Sequence, residues 1–166
     1  MDAHSGKTVS NKTETKGGPL QGLLRPPLIF LFAILLGIAL NQAWSFRFRP
    51  SALELLGPLI TLCAVLLFLL SFREFRAAGT SVRGSKRTTT IVRTGPYRFS
   101  RNPIYLSFIL LVLGLSVWLN DLWLVVTLVP AVGFIAAVVI PREERLLDRT
   151  FGPQYSSYKA AVRRWL

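Results

Sequence analysis

An all-α, integral membrane helical bundle is the fold class that this sequence predicts, with four transmembrane helices followed by short C-terminal interfacial helices. Of the 166 residues, 51% are hydrophobic and only 17% are charged. Several uncharged tracts are long enough to cross a bilayer and longer than most helices of soluble proteins. One domain is expected over residues 21–166. The tail at 1–20 is rich in Ser, Thr, Lys and Gly, a composition that predicts disorder.

The first two spans are predicted over residues 27–44 and 55–72. The first tract is uncharged and mostly aliphatic, and it ends at Trp44, a residue type that favours the membrane interface. The second tract has Pro58 in its first turn, where proline is tolerated, and charged residues follow it from Arg73 onward. Each tract therefore has the length of one membrane-spanning helix.

The third and fourth spans are predicted over residues 104–119 and 122–140. Only an Asn-Asp pair separates the two apolar tracts. Because so short a turn cannot leave the membrane surface, the two helices should form an antiparallel hairpin.

Two short helices are predicted beyond the fourth span. Residues 142–150 have helical propensity, residues 151–153 interrupt them, and residues 154–165 have the pattern of an amphipathic helix. Four apolar or aromatic residues recur there at three- and four-residue spacing: Tyr155, Tyr158, Val162 and Trp165. This pattern is typical of a helix that lies in the membrane interface.

Basic residues in the loops predict the orientation. The connection over 73–101 carries eight Lys and Arg residues, whereas the turn at 120–121 carries none. The positive-inside rule therefore places the long connection, and with it both termini, in the cytoplasm. Arg47 and Arg49 in the first loop oppose this assignment, and the basic residues of the N-terminal tail outweigh them only modestly.

Composition also restricts the chemistry. The net charge of +12 fits loops that face anionic membrane lipids better than nucleic-acid binding, because the arginines lie beside apolar spans. The lone histidine, His4, lies in the polar tail, which argues against histidine-based triads and metal sites. Cys63 has no second cysteine in the chain with which to form a disulfide.

Polar residues border the predicted hairpin at two points. Residues 94–105 precede its first helix, and residues 141–147 follow its second helix. Both clusters should therefore meet at one face of the bilayer, where a soluble charged molecule and a lipid-like molecule can both reach them. This geometry indicates an enzyme that works at the membrane surface.

The second half of the chain contains four short motifs in a fixed order. They are Gly95–Pro96–Tyr97, Arg101–Asn102–Pro103 with Tyr105, Glu143–Glu144 with Leu147, and Phe151–Gly152 with Tyr155 and Tyr158. In this order they resemble the isoprenylcysteine carboxyl methyltransferase family, whose wider group includes the phospholipid N-methyltransferases. Any one motif alone would be weak.

The resemblance implies methyl transfer from S-adenosylmethionine to a lipid-like or lipidated substrate, without a metal. It implies Glu144, Arg101 and Asn102 as catalytic residues. The residues that it implies for the cofactor pocket are Tyr97, Arg101, Asn102, Pro103, Tyr105, Glu143 and Glu144. Carboxyl O-methylation is the expected reaction. Methylation of a phospholipid, or of a small apolar amine or thiol, and a non-catalytic scaffold or lipid-binding role remain as alternatives.

The residue types fit the cofactor independently of the resemblance. S-adenosylmethionine carries a sulfonium, an ammonium, a carboxylate, hydroxyls and a flat adenine, which anions, guanidiniums, amides and aromatic rings can bind. Glu143 and Glu144 should lie about 100° apart around a helix, so only one can point into a given pocket. The other should face solvent or an arginine.

Several of these residues also have a purely structural interpretation. Glutamates after Pro141 suit the first turn of a helix, where the helix dipole favours anions. Asn102 and Pro103 suit the cap and first position of a helix. Gly114 and Gly133 are most simply explained by close helix packing.

Overall fold

The computed structural model describes residues 26–45, 55–78 and 90–166, and over these ranges the regular structure is entirely helical. The helices are α1 (Pro26–Ala43), α2 (Leu56–Ala77), α3 (Pro103–Leu119), α4 (Leu122–Phe134), α5 (Ile140–Phe151) and α6 (Pro153–Ala161). A 3₁₀ turn over Gly95–Arg98 precedes α3, and a π turn over Ile135–Val139 joins α4 to α5. The predicted all-α class is confirmed. The predicted tail at 1–20 lies outside the described residues.

Three of the described helical segments are long and apolar enough to cross a membrane. They are α1, α2 and the continuous 30-residue helix over Leu122–Phe151. The apolar helix α3 has 17 residues and is thus about 25 Å long, somewhat less than the roughly 30 Å of a bilayer's hydrocarbon core. The predicted count of four spans is therefore not confirmed by helix length.

A tight turn joins α3 to α4, as the sequence predicts. Asn120 adopts the left-handed conformation with φ 52°, which ends α3. The Asp121 carboxylate caps α4 by accepting a hydrogen bond from the Trp123 backbone N–H at 2.9 Å. These local interactions reverse the chain within two residues and place the polar ends of the hairpin side by side.

The core of the bundle lies between α1, α3 and the long helix. Phe30, Val112, Leu124 and Ile135 are almost completely inaccessible to solvent. The Thr127 hydroxyl donates a hydrogen bond across the interface to the Ala33 carbonyl at 2.8 Å. Such bonds between apolar helices contribute about 0.6 kcal/mol on average, so most of the stabilisation comes from side-chain packing.

Glycine allows α2 and α3 to approach closely. A Cβ added at Gly114 would lie 2.5 Å from the Thr61 hydroxyl oxygen, and one added at Gly57 would lie 2.4 Å from the Trp118 backbone nitrogen. The packing role predicted for Gly114 is confirmed. The same prediction for Gly133 is wrong, because a Cβ there would meet no heavy atom within 4 Å from the other helices that the structure describes.

The helix that carries the two glutamates does not begin at Pro141. The chain is helical from Leu122 through Phe151, so the glutamates lie more than five turns from its N-terminal end. The π turn directly precedes Pro141, a residue that cannot donate an i→i−4 hydrogen bond. Glu143 does lie in the first turn of α5, as the structural interpretation predicts, but the π turn and α4 continue the helix before it, so the glutamates do not face a free helix N-terminus.

The C-terminal helix is shorter and more buried than the amphipathic pattern predicts. Gly152 has a positive φ of 51° and separates α5 from α6, which ends at Ala161 rather than at 165. Val162 is already extended, and we call residues 162–166 the strap. Tyr155 and Tyr158 are buried in the protein instead of facing the interface.

Candidate active site

The polar segment before α3 and the N-terminal half of α5 come together in space. The Arg101 Nη1 atom lies 3.3 Å from Glu144 Oε1. The Tyr105 hydroxyl donates a hydrogen bond to Glu143 Oε1 at 2.6 Å. The hairpin thus brings together the two clusters that the sequence separates by about forty residues, as a short turn between α3 and α4 requires.

Glu144 is a buried carboxylate held by two guanidinium groups. Only 9% of the residue is exposed. Besides Arg101, it contacts Arg164, whose Nε lies 3.2 Å from Oε1 and whose Nη2 lies 2.8 Å from Oε2. Two cations surround one anion, so the cluster has an excess positive charge. The Glu144 carboxylate in turn raises the pKa of Arg164, which keeps this guanidinium charged.

Arg164 is the site residue that the sequence analysis missed. The amphipathic pattern placed residues 154–165 on a helix in the interface, where arginines bind lipid phosphates without a specific partner. In the structure the strap leaves the helix, and Arg164 turns toward Glu144. The sequence could indicate only that a buried glutamate needs a cationic partner. Because the chain contains many arginines, this need does not identify Arg164.

Glu143 and Glu144 occupy different environments, as their helical spacing predicts. Glu144 points inward to the two arginines. Glu143 is exposed, and its hydrogen-bond donor is the buried Tyr105. Glu144 is therefore the more enclosed of the two residues, although burial also raises the pKa of the Glu143 carboxyl.

The strap crosses the start of α3 and is held there through its backbone. The Arg101 backbone N–H donates to the Arg163 carbonyl at 3.0 Å. The Asn102 side-chain amide and the Ser100 hydroxyl both donate to the Arg164 carbonyl, at 3.1 and 3.3 Å. Asn102 does stand at the cap position with Pro103 following, but its side chain binds the strap and does not cap α3.

Arg101 has buried donors that lack a hydrogen-bond acceptor. Its Nε and Nη1 atoms are inaccessible to solvent, and neither makes a hydrogen bond within the described part of the chain. A buried polar group without a partner costs about 1–3 kcal/mol. An anionic group of a ligand beside Arg101 would supply the missing acceptor.

The tyrosines around the cluster are donors and packing residues. Tyr97 is buried with its ring 6.2 Å from that of Phe75, and its carbonyl accepts a hydrogen bond from the Tyr158 hydroxyl at 2.8 Å. Burial raises the pKa of Tyr97 above its usual range and raises that of Tyr158 to about 12. Both phenols therefore stay protonated near neutral pH.

A cavity of about 590 Å³ lies beside the cluster, between α2, the 3₁₀ turn and the start of α3. Its walls are mostly apolar, with leucines from α2 and α3, and Arg73, Glu74 and Arg98 add charged groups. Of the predicted site residues, only Pro103 lines it. The cavity is thus adjacent to the Glu144 cluster and not centred on it.

These features define a helical membrane protein with a charged, partly enclosed site at one end of a helical hairpin. Comparison with known sequences identifies the family within this class. The chain belongs to the phospholipid methyltransferase family, whose model matches residues 53–154 and hence more than half of the chain. The matched region contains α2, α3 and α4, together with Arg101, Tyr105, Glu143 and Glu144, whereas the strap lies outside it.

Two individual proteins are similar to parts of the chain. An uncharacterized protein of Haemophilus influenzae is 42% identical over 65 residues, which are 38% of this chain and 100% of that protein. The nickel-cobalt-cadmium resistance protein NccN of Alcaligenes xylosoxydans xylosoxydans is 32% identical over 73 residues, which are 44% of this chain and only 34% of that protein. No solved structure matches the chain.

Proposed function

We propose that this protein transfers a methyl group from S-adenosylmethionine to a lipid-like or lipidated acceptor at the membrane interface. The observation that carries the proposal is the meeting of Arg101 with the buried Glu144, within the region that matches a family of methyltransferases. The burial of Glu144 is not explained by a helix cap, because α5 continues the preceding helix and has no free N-terminus there.

The cluster has the donors and acceptors that this cofactor needs. Glu144 offers a carboxylate to the cationic ammonium or sulfonium, and the Nε donor of Arg101, which makes no hydrogen bond within the described residues, suits the cofactor's carboxylate. Tyr97 and Tyr105 add aromatic surface at the same end of the hairpin, and Pro103 forms the wall toward the cavity. The cofactor, when bound, supplies an activated methyl group on a sulfonium.

Asn102 has a positioning role in this proposal. Its side-chain amide is already used to hold the Arg164 carbonyl, so it acts on the site through the strap. The catalytic roles of Arg101 and Glu144 are to bind and orient the reacting groups, because methyl transfer requires alignment and exclusion of water more than proton transfer.

The cavity suits a lipid-like acceptor. Its volume of about 590 Å³ lies within the usual range for ligand pockets, and its apolar walls match an acyl or prenyl chain. Ser100 and Pro103 line this cavity and are direct neighbours of Arg101 and Asn102 in the chain. An acceptor whose tail fills the cavity would thus have its polar end near the proposed cofactor site.

We propose carboxyl O-methylation as the reaction, with N-methylation of a phospholipid or methylation of a small amine or thiol as the alternative. An acceptor carboxylate forms a bond to the methyl carbon while the carbon–sulfur bond breaks, and the opposite charges cancel without a proton transfer. An amine must also lose a proton, and the exposed Glu143 is the carboxylate placed to accept it. Methyl esters release methanol in base and N-methyl groups do not, so product analysis distinguishes the reactions.

For the topology we propose four spans, with α3 as the third, in a single domain over residues 21–166. Helix α3 is apolar throughout and packs against α2 on one side and α4 on the other, so it lies at the same depth as these longer helices. Both termini would then lie in the cytoplasm, on the same side as the basic connection over 73–101.

Titration with S-adenosylmethionine tests the proposed function. We expect saturable binding to the folded, detergent-solubilised protein, and at least a roughly tenfold weaker binding by Glu144→Gln, because the cationic ligand loses its charged partner. Asp148→Asn is the matched control, since it removes a carboxylate from the same helix that pairs with Lys159 instead. Isothermal calorimetry measures all three proteins.

Two results would contradict the proposal in different ways. A flat titration of well-folded wild-type protein would exclude the enzyme and favour a scaffold or lipid-binding role. Equal affinities for the wild type and Glu144→Gln would leave the cofactor in place but remove Glu144 from its site.

A further inference from the structure

The strap contacts both the Glu144 cluster and the apolar cavity. Arg164 makes two hydrogen bonds to the Glu144 carboxylate, while Leu166 lines the cavity. Ser100 joins the two regions, because it lines the cavity and its hydroxyl donates to the Arg164 carbonyl. Five consecutive residues therefore border the proposed cofactor site with one side chain and the proposed acceptor site with another.

Methyl transfer requires that these two regions communicate. The reacting atoms must come within about 3–3.5 Å of each other in a direct displacement. The strap borders both regions, because Arg164 contacts the Glu144 carboxylate and Leu166, two residues further on, lines the cavity. A movement of the strap would therefore change how the two regions communicate.

Both oxygens of the Glu144 carboxylate already contact guanidinium groups. Arg164 donates to both carboxylate oxygens, and Arg101 Nη1 lies 3.3 Å from Oε1. A cationic ligand that uses this carboxylate, which is only 11% exposed, competes with the guanidiniums for its oxygens. The side chain of Arg164 is 37% exposed and that of Arg101 only 11%, so Arg164 is the group that can move into solvent.

We propose that residues 162–166 are a gate between the cofactor and acceptor sites, and that the Arg164–Glu144 ion pair holds this gate closed until a cationic ligand replaces Arg164. The proposal rests on the proposed function for the identity of the ligand. The closed position itself is independent of it, because the strap's contacts are with the protein alone.

The backbone contacts explain how the gate can open without disturbing the helices. The strap receives its hydrogen bonds at the Arg163 and Arg164 carbonyls, from donors at the start of α3. These donors face a surface that water can hydrate once the strap leaves, whereas the α3 helix keeps its own internal bonds. Trp165 of the strap also packs against the core of the bundle, and the Arg164 side chain is the strap's ionic contact with the site. Because a cationic ligand can take the place of that ionic contact, Arg164 is the residue that controls opening.

The first measurement uses no ligand. In the closed state the Arg101 backbone N–H donates to the Arg163 carbonyl, which protects it from hydrogen exchange. We expect Arg164→Gln to speed deuterium uptake at Arg101 by roughly tenfold, the value of one charged hydrogen bond. Arg163→Gln removes the same charge from a neighbouring exposed side chain and should exchange like the wild type. Arg164→Lys, which keeps the charge but loses the bidentate contact, should be intermediate.

The second measurement is the affinity of the same proteins for S-adenosylmethionine. If the gate must release Glu144, Arg164→Gln should bind several-fold more tightly than the wild type, and Arg163→Gln should match the wild type. Unchanged exchange at Arg101 in Arg164→Gln overturns the gate whatever the ligand does. Weaker or equal binding by Arg164→Gln, with binding by the wild type, also overturns it while the methyltransferase proposal stands.

A different set of binding results would contradict the proposed methyltransferase function. If neither the wild type nor Arg164→Gln binds S-adenosylmethionine, the methyltransferase assignment fails, and with it the role of the strap as a gate for this ligand. If only Arg164→Gln binds, both proposals are supported, because the closed strap then accounts for the inactive wild type.

Discussion

Two tyrosine hydroxyls connect the site to its supporting helices, and they differ in the burial of their acceptors. Tyr105 donates to Glu143, a carboxylate that solvent can reach. Tyr158 donates to the Tyr97 carbonyl in a buried hydrogen bond. If the Tyr105 hydroxyl is removed, water can hydrogen-bond to Glu143 in its place. If the Tyr158 hydroxyl is removed, water reaches the buried Tyr97 carbonyl less easily. Replacing tyrosine by phenylalanine should therefore lower the free energy of unfolding by different amounts at the two positions.

We predict that Tyr158→Phe destabilises the protein more than Tyr105→Phe does. The expected losses are about 1–3 kcal/mol for the buried acceptor and about 1 kcal/mol or less for the exposed one. Thermal unfolding of the two variants in the same detergent measures the order of stability. A lower midpoint for Tyr105→Phe than for Tyr158→Phe would contradict it.

For individual residues, the sequence could indicate which side chains lie at the same end of the hairpin, but not which of them form ion pairs or hydrogen bonds. Arg101, Tyr105, Glu143 and Glu144 could be placed at one end of the hairpin because short turns restrict where helices begin and end. The partner of Glu144 could not, since the strap brings Arg164 back over the start of α3 by contacts with no local sequence pattern. Nor could the sequence show that Asn102 would hold the strap.

The elements of the bundle depend on small residues where helices meet. Gly114 lies against Thr61, and Gly57 lies against Trp118, so α2 and α3 have almost no space between their backbones. Gly133 is also a glycine in an apolar tract, but a Cβ added there would meet no other helix of the described chain within 4 Å. Sequence pattern could not separate these glycines, because the distinction depends on which helix faces which.

We predict opposite effects for alanine at the two positions. Gly114→Ala should destabilise the bundle by about 1–3 kcal/mol, because the new methyl group overlaps Thr61 and forces the helices apart. Gly133→Ala should be neutral or stabilise by up to about 1 kcal/mol through higher helix propensity. Thermal unfolding in detergent compares both with the wild type. A stable Gly114→Ala protein would show that the two helices are not in this contact.

The continuous helix over Leu122–Phe151 was predictable only in part. Its apolar half follows from hydropathy, which predicts that the span ends at 140. Pro141 is normally a sign that a helix starts or stops, and the structure instead carries the helix through it after a π turn. One additional residue in that turn rotates everything after it by about 100°, which affects which glutamate is enclosed.

At the scale of the whole molecule, this helix fixes the height of the site above the bilayer. Its 30 residues extend about 45 Å, whereas the hydrocarbon core is about 30 Å thick. If its apolar N-terminal part fills that core, Glu144 stands about 33 Å from Leu122, at the level of the lipid headgroups.

Hydrophobic mismatch should therefore regulate this protein. A thicker bilayer would draw Glu144 and its neighbours toward the hydrocarbon, and a thinner one would lift them into water. In proteoliposomes that differ only in acyl-chain length, we expect methyl transfer to be fastest at one intermediate thickness and to fall on both sides. Equal rates at all thicknesses, with equal insertion, would mean that the long helix tilts to compensate and that the composition of the host membrane does not tune the enzyme.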